Sequence, residues 1–461
     1  MPDWIKLYQR LPYPLRVAVA SGRGYYLRRW RYGADTEQLV QQALERESWS
    51  VAQWQTWQEE RLAYILHRAA TQVPYYRNHW QQRRRQGDKA SWELLSNWPV
   101  LQKQTIRQQP QQFVADDCEL DKLFCDRTSG TTGTPLPIWL SQATNTGWYA
   151  LFEARTRRWL GVTMRDRWAI IGGQLIVSGQ ATRPPYWVWN ISLNQLYMSA
   201  FHIRPNACLD YLKALGTHRI THIVSYPSSL YALARTAQEL GLEAPRLRGI
   251  ITNSETLYPE WRELIAKVFQ CPVLSTYGMA EIALAGSDCQ QNHMHLWPES
   301  GVPEIFHPTE DIPLEPSSKG RLVITGLFNP DMCFIRYDVG DWGGMYHNDG
   351  CACGRNLPQL DHIDGRTGDM IRTPDGRSIF WANNIFFGLN IQELQVIQEK
   401  SDYLRLLVVP TETYGPTDEQ ALITKIHQRL GNSVQVEIEQ VSHILRTANG
   451  KFRTVISHLH A

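Results

Sequence analysis

The sequence predicts an α/β protein with a small α+β domain after residue 365, and three observations carry that expectation. Short apolar runs separated by glycines and helical stretches begin near residue 122: Trp168 to Ile171, Ile223-Val224, Ile250-Ile251 and Val273-Leu274. Runs this short, alternating with helical pattern, suit the buried strands of a largely parallel sheet. The 461 residues exceed what a single hydrophobic core usually serves. After residue 365 the composition shifts, and YLRLLVVP and VQVEIEQV flank the helical stretch DEQALITKIHQRLG.

Taken in order, residues 35 to 85 are rich in Gln, Glu, Arg and Trp, with Leu62, Ile65 and Leu66 at i, i+3 and i+4. The opening, about 1–120, is therefore expected to be helical. From 208 to 277 the pattern reads helix (209–215), strand HIVSYP, helix (228–240), strand GIITNSE, helix (259–269), strand VLSTYG. Ligands bind at the carboxyl edge of such sheets, so Ser225, Asn253, Ser254, Glu255, Tyr277 and Glu281 are expected to converge there. The expected domains are 1–365, with its core from about 121, and 366–461, joined near 366–369 in GRTGD.

With 47 basic and 45 acidic side chains, the net charge of +2 gives no warrant for a nucleic-acid partner; a small molecule is expected. Val17 to Ala20 is too short an apolar run for a signal-peptide core, and no 18-residue apolar span occurs, so the chain reads as cytoplasmic without a membrane span. Its tryptophans are scattered and read as packing residues.

The stretch TSGTTGTP holds Thr128, Ser129, Gly130, Thr131, Thr132 and Gly133. It fails the P-loop pattern because Thr134 stands where lysine is required. Two glycines still let backbone N–H groups turn towards an anion, and the hydroxyls can donate to phosphate oxygens. By itself it suits a phosphate cradle and a polar surface loop equally well. Singly, Glu281 and Lys451 likewise read as solvated surface charges.

Five motifs in order give these residues a common setting: TSGTTGTP, YGMAE (277–281), RYDVGD (336–341), GRTGD (365–369) and NGKFR (449–453). The series resembles the adenylate-forming superfamily of acyl-CoA synthetases and adenylation domains. PYYRNHW and PVLQKQTIRQQP add a resemblance to the phenylacetate-CoA ligase family and its capsule-biosynthesis offshoot, CapK. The resemblance implies a large adenylate-forming domain of mixed sheets and helices with a small C-terminal lid. It implies that Thr128 to Gly133 hold the ATP phosphates, Glu281 holds Mg2+, and Tyr277 and Gly278 with Asn253, Ser254 and Glu255 line the adenine pocket. Asp341 would bind ribose, Arg366 would support the nucleotide, and Lys451 would reach the carboxylate and the α-phosphate. Cations placed where charge accumulates lower the barrier to attack on phosphorus, so these roles are chemically coherent.

Cys351 and Cys353 stand on a tight glycine-flanked turn, with Cys289, His293 and His295 about sixty residues earlier. Three thiolates and one imidazole form a closed tetrahedral set of the structural Zn2+ type. The resemblance favours His295 over His293 as the fourth ligand.

The sequence thus implies an AMP-forming ligase that converts ATP and a carboxylic acid to acyl-AMP and pyrophosphate, then passes the acyl group to coenzyme A. The acid is expected near Tyr226, Ser254 and residues 277–285. Alternative acceptors are an amine or a carrier protein; other readings are transfer of AMP itself and a nucleotide-binding scaffold without turnover. Relatives are often homodimers. Two departures from the family pattern stand out: Thr134, which removes a charge near the phosphates, and Gly368, whose freedom suits a hinge.

Overall fold

The computed structural model describes residues 3–128, 135–345, 350–366, 370–381, 383–447 and 449–459. They fall into two compact units, 1–339 with 343–362, and 340–342 with 363–461.

The first unit opens with helices Asp3–Arg10, Tyr13–Arg31, Thr36–Glu45, Val51–Gln72 and Pro74–Arg85. Val51–Gln72 starts at a capping box: Gln53 N–H donates to Ser50 Oγ at 3.3 Å and Ser50 N–H to Gln53 Oε1 at 2.9 Å. It stops at Val73, because Pro74 lacks an N–H and begins the next helix instead. The buried face, Ile65, Leu66 and Ala69, packs with Tyr76, Trp98, Leu101 and Ile106, and with Ile335 and Tyr337 from far along the chain.

The α/β class is borne out in the middle of this unit. Strands Trp168–Gly172, His222–Ser225, Gly249–Thr252 and Val273–Gly278 lie side by side and parallel, in the registers Trp168↔His222, His222↔Gly249 and Ile250↔Val273. Helices Cys208–Thr217, Pro227–Glu239 and Pro259–Phe269 make the connections. Every residue of the two central strands is buried, as expected of a sheet covered on both faces.

At Gly278 the chain reverses. Val273–Gly278 pairs antiparallel with Ala285–Asp288, and Met294–Leu296, Gly301–Phe306 and Lys319–Gly326 extend an antiparallel half of one 13-stranded sheet. Gly301 has no room for a side chain: a Cβ there would sit 2.0 Å from the Ala283 carbonyl oxygen. That close approach seats the 279–284 turn on the sheet.

The second unit is α+β, again as the sequence predicts. Its sheet runs Gln435–Gln440, Tyr403–Pro410, Ile391–Lys400, Val455–Ser457, with helix Pro416–Leu430 packed on it. Leu394, Val396, Leu404, Leu406, Leu422, Ile426 and Val455 form its core. Pro416 sits at the start of the helix, and Gly415 N–H donates to Asp418 Oδ2 at 3.0 Å. Among the described residues no helix is long and apolar enough to cross a membrane.

Candidate active site

The parallel strands bring one group of predicted residues to a common edge. Ser225 closes His222–Ser225, residues 253–255 follow Gly249–Thr252, and Tyr277 and Gly278 close Val273–Gly278. Asn253 N–H donates to the Ser225 carbonyl at 3.1 Å, and Thr276 Oγ1 to the Thr252 carbonyl at 2.8 Å. Ser254 adopts φ 68°, a left-handed turn. The turn leaves Glu255 Oε2 accepting from Ser228 N–H at 3.1 Å, in the first turn of helix Pro227–Glu239, where the helix dipole favours a carboxylate.

Thr128 is buried and ties the two ends of its loop together. Its N–H donates to the Leu136 carbonyl at 3.0 Å, and Leu136 N–H donates to Thr128 Oγ1 at 2.9 Å. Ser129, Gly130, Thr131, Thr132, Gly133 and Thr134 lie outside the described residues, as does Gly368.

Glu281 is buried on the turn seated against Gly301. Ile282 N–H donates to the Met279 carbonyl at 3.0 Å, and Ile282 takes φ 48°, a strained value for a β-branched residue. The Glu281 carboxylate has two partners at one oxygen: Lys103 Nζ at 2.8 Å and Tyr337 OH at 2.8 Å. Sequence reasoning missed both, although each lies in a motif quoted for the resemblance.

Local pairing explains how Lys103 arrives there. Leu101 N–H donates to the Arg336 carbonyl at 2.8 Å and Asp338 N–H to the Leu101 carbonyl at 3.0 Å, so residues 100–102 run alongside the start of Tyr337–Met345. Arg336 secures the same segment. It donates to the Ser96 and Trp98 carbonyls at 3.2 and 3.0 Å, while its other nitrogens form a fork on Glu304 at 3.0 and 2.7 Å.

In the second unit Asp341 is buried and accepts from Arg366 Nε at 3.2 Å; Arg366 itself is half exposed. Lys451 follows Gly450, which has φ 74°. Its backbone N–H donates to Thr447 Oγ1 at 3.1 Å, and Thr447 N–H donates back to the Lys451 carbonyl at 3.0 Å. The lysine thus stands on a closed turn beside Phe452, over whose ring the Arg446 guanidinium sits at 4.6 Å.

A separate cluster in the first unit unites Cys289, His295, Cys351 and Cys353, whose ligand atoms all lie within 4.8 Å of one another. Cys289 Sγ is 3.8 Å from Cys351 Sγ, and Cys353 Sγ is 3.4 Å from His295 Nε2. For bonds of about 2.3 Å to sulfur and about 2.0 Å to nitrogen, the edges of a tetrahedral site are roughly 3.8 Å and 3.6 Å, so the donors suit zinc. His295 Nδ1 lies 3.1 Å from the Leu357 carbonyl, which fixes the proton there and leaves Nε2 free to ligate. His293 Nδ1 touches Cys351 Sγ at 3.4 Å but stands outside the set of four. Glu47 braces the neighbourhood, accepting from Trp159 Nε1 and Arg355 Nε, each at 2.8 Å.

Residues 51–328 match the family model described as AMP-binding enzyme, and residues 371–458 match the CapK C-terminal domain. The chain belongs to the AMP-binding enzyme family. It is an AMP-forming ligase of the adenylate-forming superfamily, in the branch that includes CapK and phenylacetate-CoA ligases, as the five motifs imply. Protein CapK of Staphylococcus aureus is 22% identical over 380 residues, covering 81% of this chain and 82% of that protein. The phenylacetate-coenzyme A ligase of Thermus thermophilus is 34% identical over 119 residues, covering 24% and 26%. Among solved structures, 2-hydroxyisobutyryl-CoA ligase in the postadenylation state with R3-HIB-AMP superposes with a TM-score of 0.69 at 22% identity, covering 89% of this chain and 91% of that one. The same ligase in an open conformation with 2-HIB-AMP and CoA gives 0.54 at 21% identity, covering 89% and 93%. These two likenesses establish the fold.

Proposed function

We propose that this ligase activates a small carboxylic acid with ATP and transfers the acyl group to coenzyme A. In the first half-reaction a carboxylate oxygen bonds to the α-phosphorus and pyrophosphate leaves. In the second, a thiol sulfur bonds to the acyl carbon and AMP leaves. The observation that carries the proposal is the buried Glu281 carboxylate, held by Lys103 and Tyr337 next to the carboxyl edge of the parallel strands.

Each residue then has a task. Thr128 to Gly133 donate to the phosphates, and Lys103 brings a cation to the place where their charge collects. Glu281 is the carboxylate for Mg2+, which when bound with ATP neutralises phosphate charge. Asn253, Ser254 and Glu255 line the adenine, Tyr277 stacks on it beside Gly278, and Asp341 accepts both ribose hydroxyls with Arg366 orienting it. Lys451 holds the attacking carboxylate against the α-phosphate. Cys289, His295, Cys351 and Cys353 hold a structural zinc that pins the 289–295 hairpin to the 351–353 turn, apart from the chemistry. Coenzyme A is favoured over an amine or a carrier protein because both ligases matched by name act with coenzyme A.

The test is acid-dependent pyrophosphate release, measured over a panel that includes phenylacetate and 2-hydroxyisobutyrate, with and without coenzyme A. Lys451→Ala and Glu281→Gln should each lower the rate by about 10²-fold or more, the usual cost of removing a charge that stabilises the transition state. Tight ATP binding without turnover of any acid would leave a scaffold instead. Acyl-AMP that accumulates in the presence of coenzyme A and discharges only to an amine would identify the wrong acceptor.

A further inference from the structure

The first two helices carry a surface that the ligase chemistry does not use. Helix Asp3–Arg10 is fastened to the first unit by Gln9, whose Nε2 donates to the Leu175 and Val177 carbonyls at 2.8 and 3.1 Å. Tyr13–Arg31 is fastened through Ser21, whose Oγ accepts from Ile191 N–H at 3.0 Å and whose carbonyl accepts from Ser192 Oγ at 2.9 Å. On that inner side Gly24 lies so close to Asn190 that a Cβ would come within 2.1 Å of its Oδ1.

The opposite face is apolar, aromatic and largely open, with Tyr26 at its far end 6.5 Å from the Phe124 ring. Leu15, Val19 and Tyr26 recur at i, i+4 and i+11, one stripe of a helix, and are 51%, 50% and 53% exposed. Tyr25 flanks them at 59%, and Trp4 and Leu7 on the preceding helix are each 65% exposed. Single exposed hydrophobic residues are ordinary on a protein surface; six on two consecutive helices are not.

Charge separates this face from the rest of the molecule. Residues 3–31 hold Lys6 and six arginines, at 10, 16, 23, 28, 29 and 31, against the single acid Asp3. The whole chain is only +2, so the remainder is net negative, and the overall balance conceals a local excess. None of the six arginines is in an ion pair among the described residues, and Arg10, Arg23, Arg28 and Arg29 are exposed. Helix Asp3–Arg10 is strongly amphipathic, and with Trp4 and Leu7 exposed beside a stripe edged by unneutralised arginine it has the composition of a segment that lies in a bilayer interface. A second copy of the chain, docked symmetrically on the same face, would bring arginine against arginine. Among the described residues no helix is long and apolar enough to cross a membrane.

We infer that residues 3–31 form a docking face for an anionic lipid surface, with Trp4, Leu7, Leu15, Val19 and Tyr26 entering the interface and Arg10, Arg23 and Arg29 meeting lipid phosphates. The enzyme is thereby held at a membrane while its nucleotide-binding strands, on other elements, stay in solution.

The full chain should co-sediment with phosphatidylcholine vesicles containing about a third phosphatidylglycerol, at least about tenfold better than with phosphatidylcholine alone, and salt should weaken the binding. Trp4→Ser/Leu7→Ser should abolish co-sedimentation, and Arg23→Gln/Arg29→Gln should reduce it about tenfold, both without loss of pyrophosphate release or helical circular dichroism. The arginine pair is exposed, so it keeps the test decisive where the apolar variant fails to fold. Equal or absent sedimentation with both vesicle types overturns the proposal. So does a dimer in analytical ultracentrifugation that Trp4→Ser/Leu7→Ser dissociates, since a second copy would then cover the face.

Discussion

Replacing Lys103 by Met leaves the Glu281 side chain 5% exposed, with one hydroxyl for a partner where it had a hydroxyl and an ammonium. Lys103 is itself a third exposed, so part of its attraction is screened by water and the pair is weaker than a fully buried one. A hydrogen bond to a charged group contributes about 1.5–3 kcal/mol, and an orphaned carboxylate adds its desolvation cost; Lys103→Met should therefore destabilise the first unit by about 2.5 kcal/mol. Glu281→Gln keeps an acceptor for Tyr337 and frees a lysine that can reach solvent, so about 1 kcal/mol is expected. The double variant should cost only about 1.5 kcal/mol, a coupling of about 2 kcal/mol. Urea unfolding followed by tryptophan fluorescence, on all four proteins under one condition, measures the cycle. Additive single effects, with coupling within about 0.3 kcal/mol of zero, would refute the pairing on which the site is built.

Two further outcomes follow from the same geometry. Protein purified without chelator should carry about one zinc per chain by mass spectrometry, and Cys351→Ser should lose the metal and lower the thermal midpoint; metal-free wild-type protein would contradict the Cys3His site. His222 is buried, accepts from Arg157 Nε at 3.2 Å and stacks on Trp168, and burial first, then the Arg157 charge, pushes it from 6.5 to about 2. The folded state therefore binds fewer protons than the unfolded one below 6.5, so stability is lost as pH falls through that range, by up to about 1.4 kcal/mol per pH unit. His222→Gln should flatten the dependence of unfolding free energy between about pH 6 and pH 5 by roughly one proton. An unchanged slope would show that the imidazole is not held neutral.

The parallel half of the sheet was legible because its strands are continuous apolar runs set between amphipathic helices, where local pattern and tertiary burial agree. The antiparallel half was not. AGSD and MHL carry little β-propensity, GVPEIF is interrupted by Gly301 and Pro303, and their pairing rests on contacts invisible in the string, such as Gly286 and Gly301 lying where a Cβ would collide with backbone carbonyls. Tyr13–Arg31 falls within the opening expected to be helical, but its bounds gave no local signal, because its buried side shows Arg16 and Gly24 rather than a run of leucines. In the site, cysteine and histidine spacing, with the resemblance choosing His295 over His293, pointed to the four donor side chains that the fold draws together. Lys103 gave no such signal. One lysine among 47 basic residues becomes legible only when the bridge between Leu101 and Tyr337 sets it against Glu281.

That ion pair also changes what binding must do. A buried carboxylate with no counter-charge would attract any divalent cation, and the affinity would be the full interaction less desolvation. Here one of the two oxygens is already taken. A metal that settled on the other oxygen of Glu281 would lie close to that ammonium and be repelled by it, and a nucleotide polyphosphate would relieve the repulsion by giving the lysine another anion. Were Glu281 to hold Mg2+ as proposed, cation and nucleotide would be favoured together over either one alone, with the protein's own lysine weighing against metal binding until the substrate arrives.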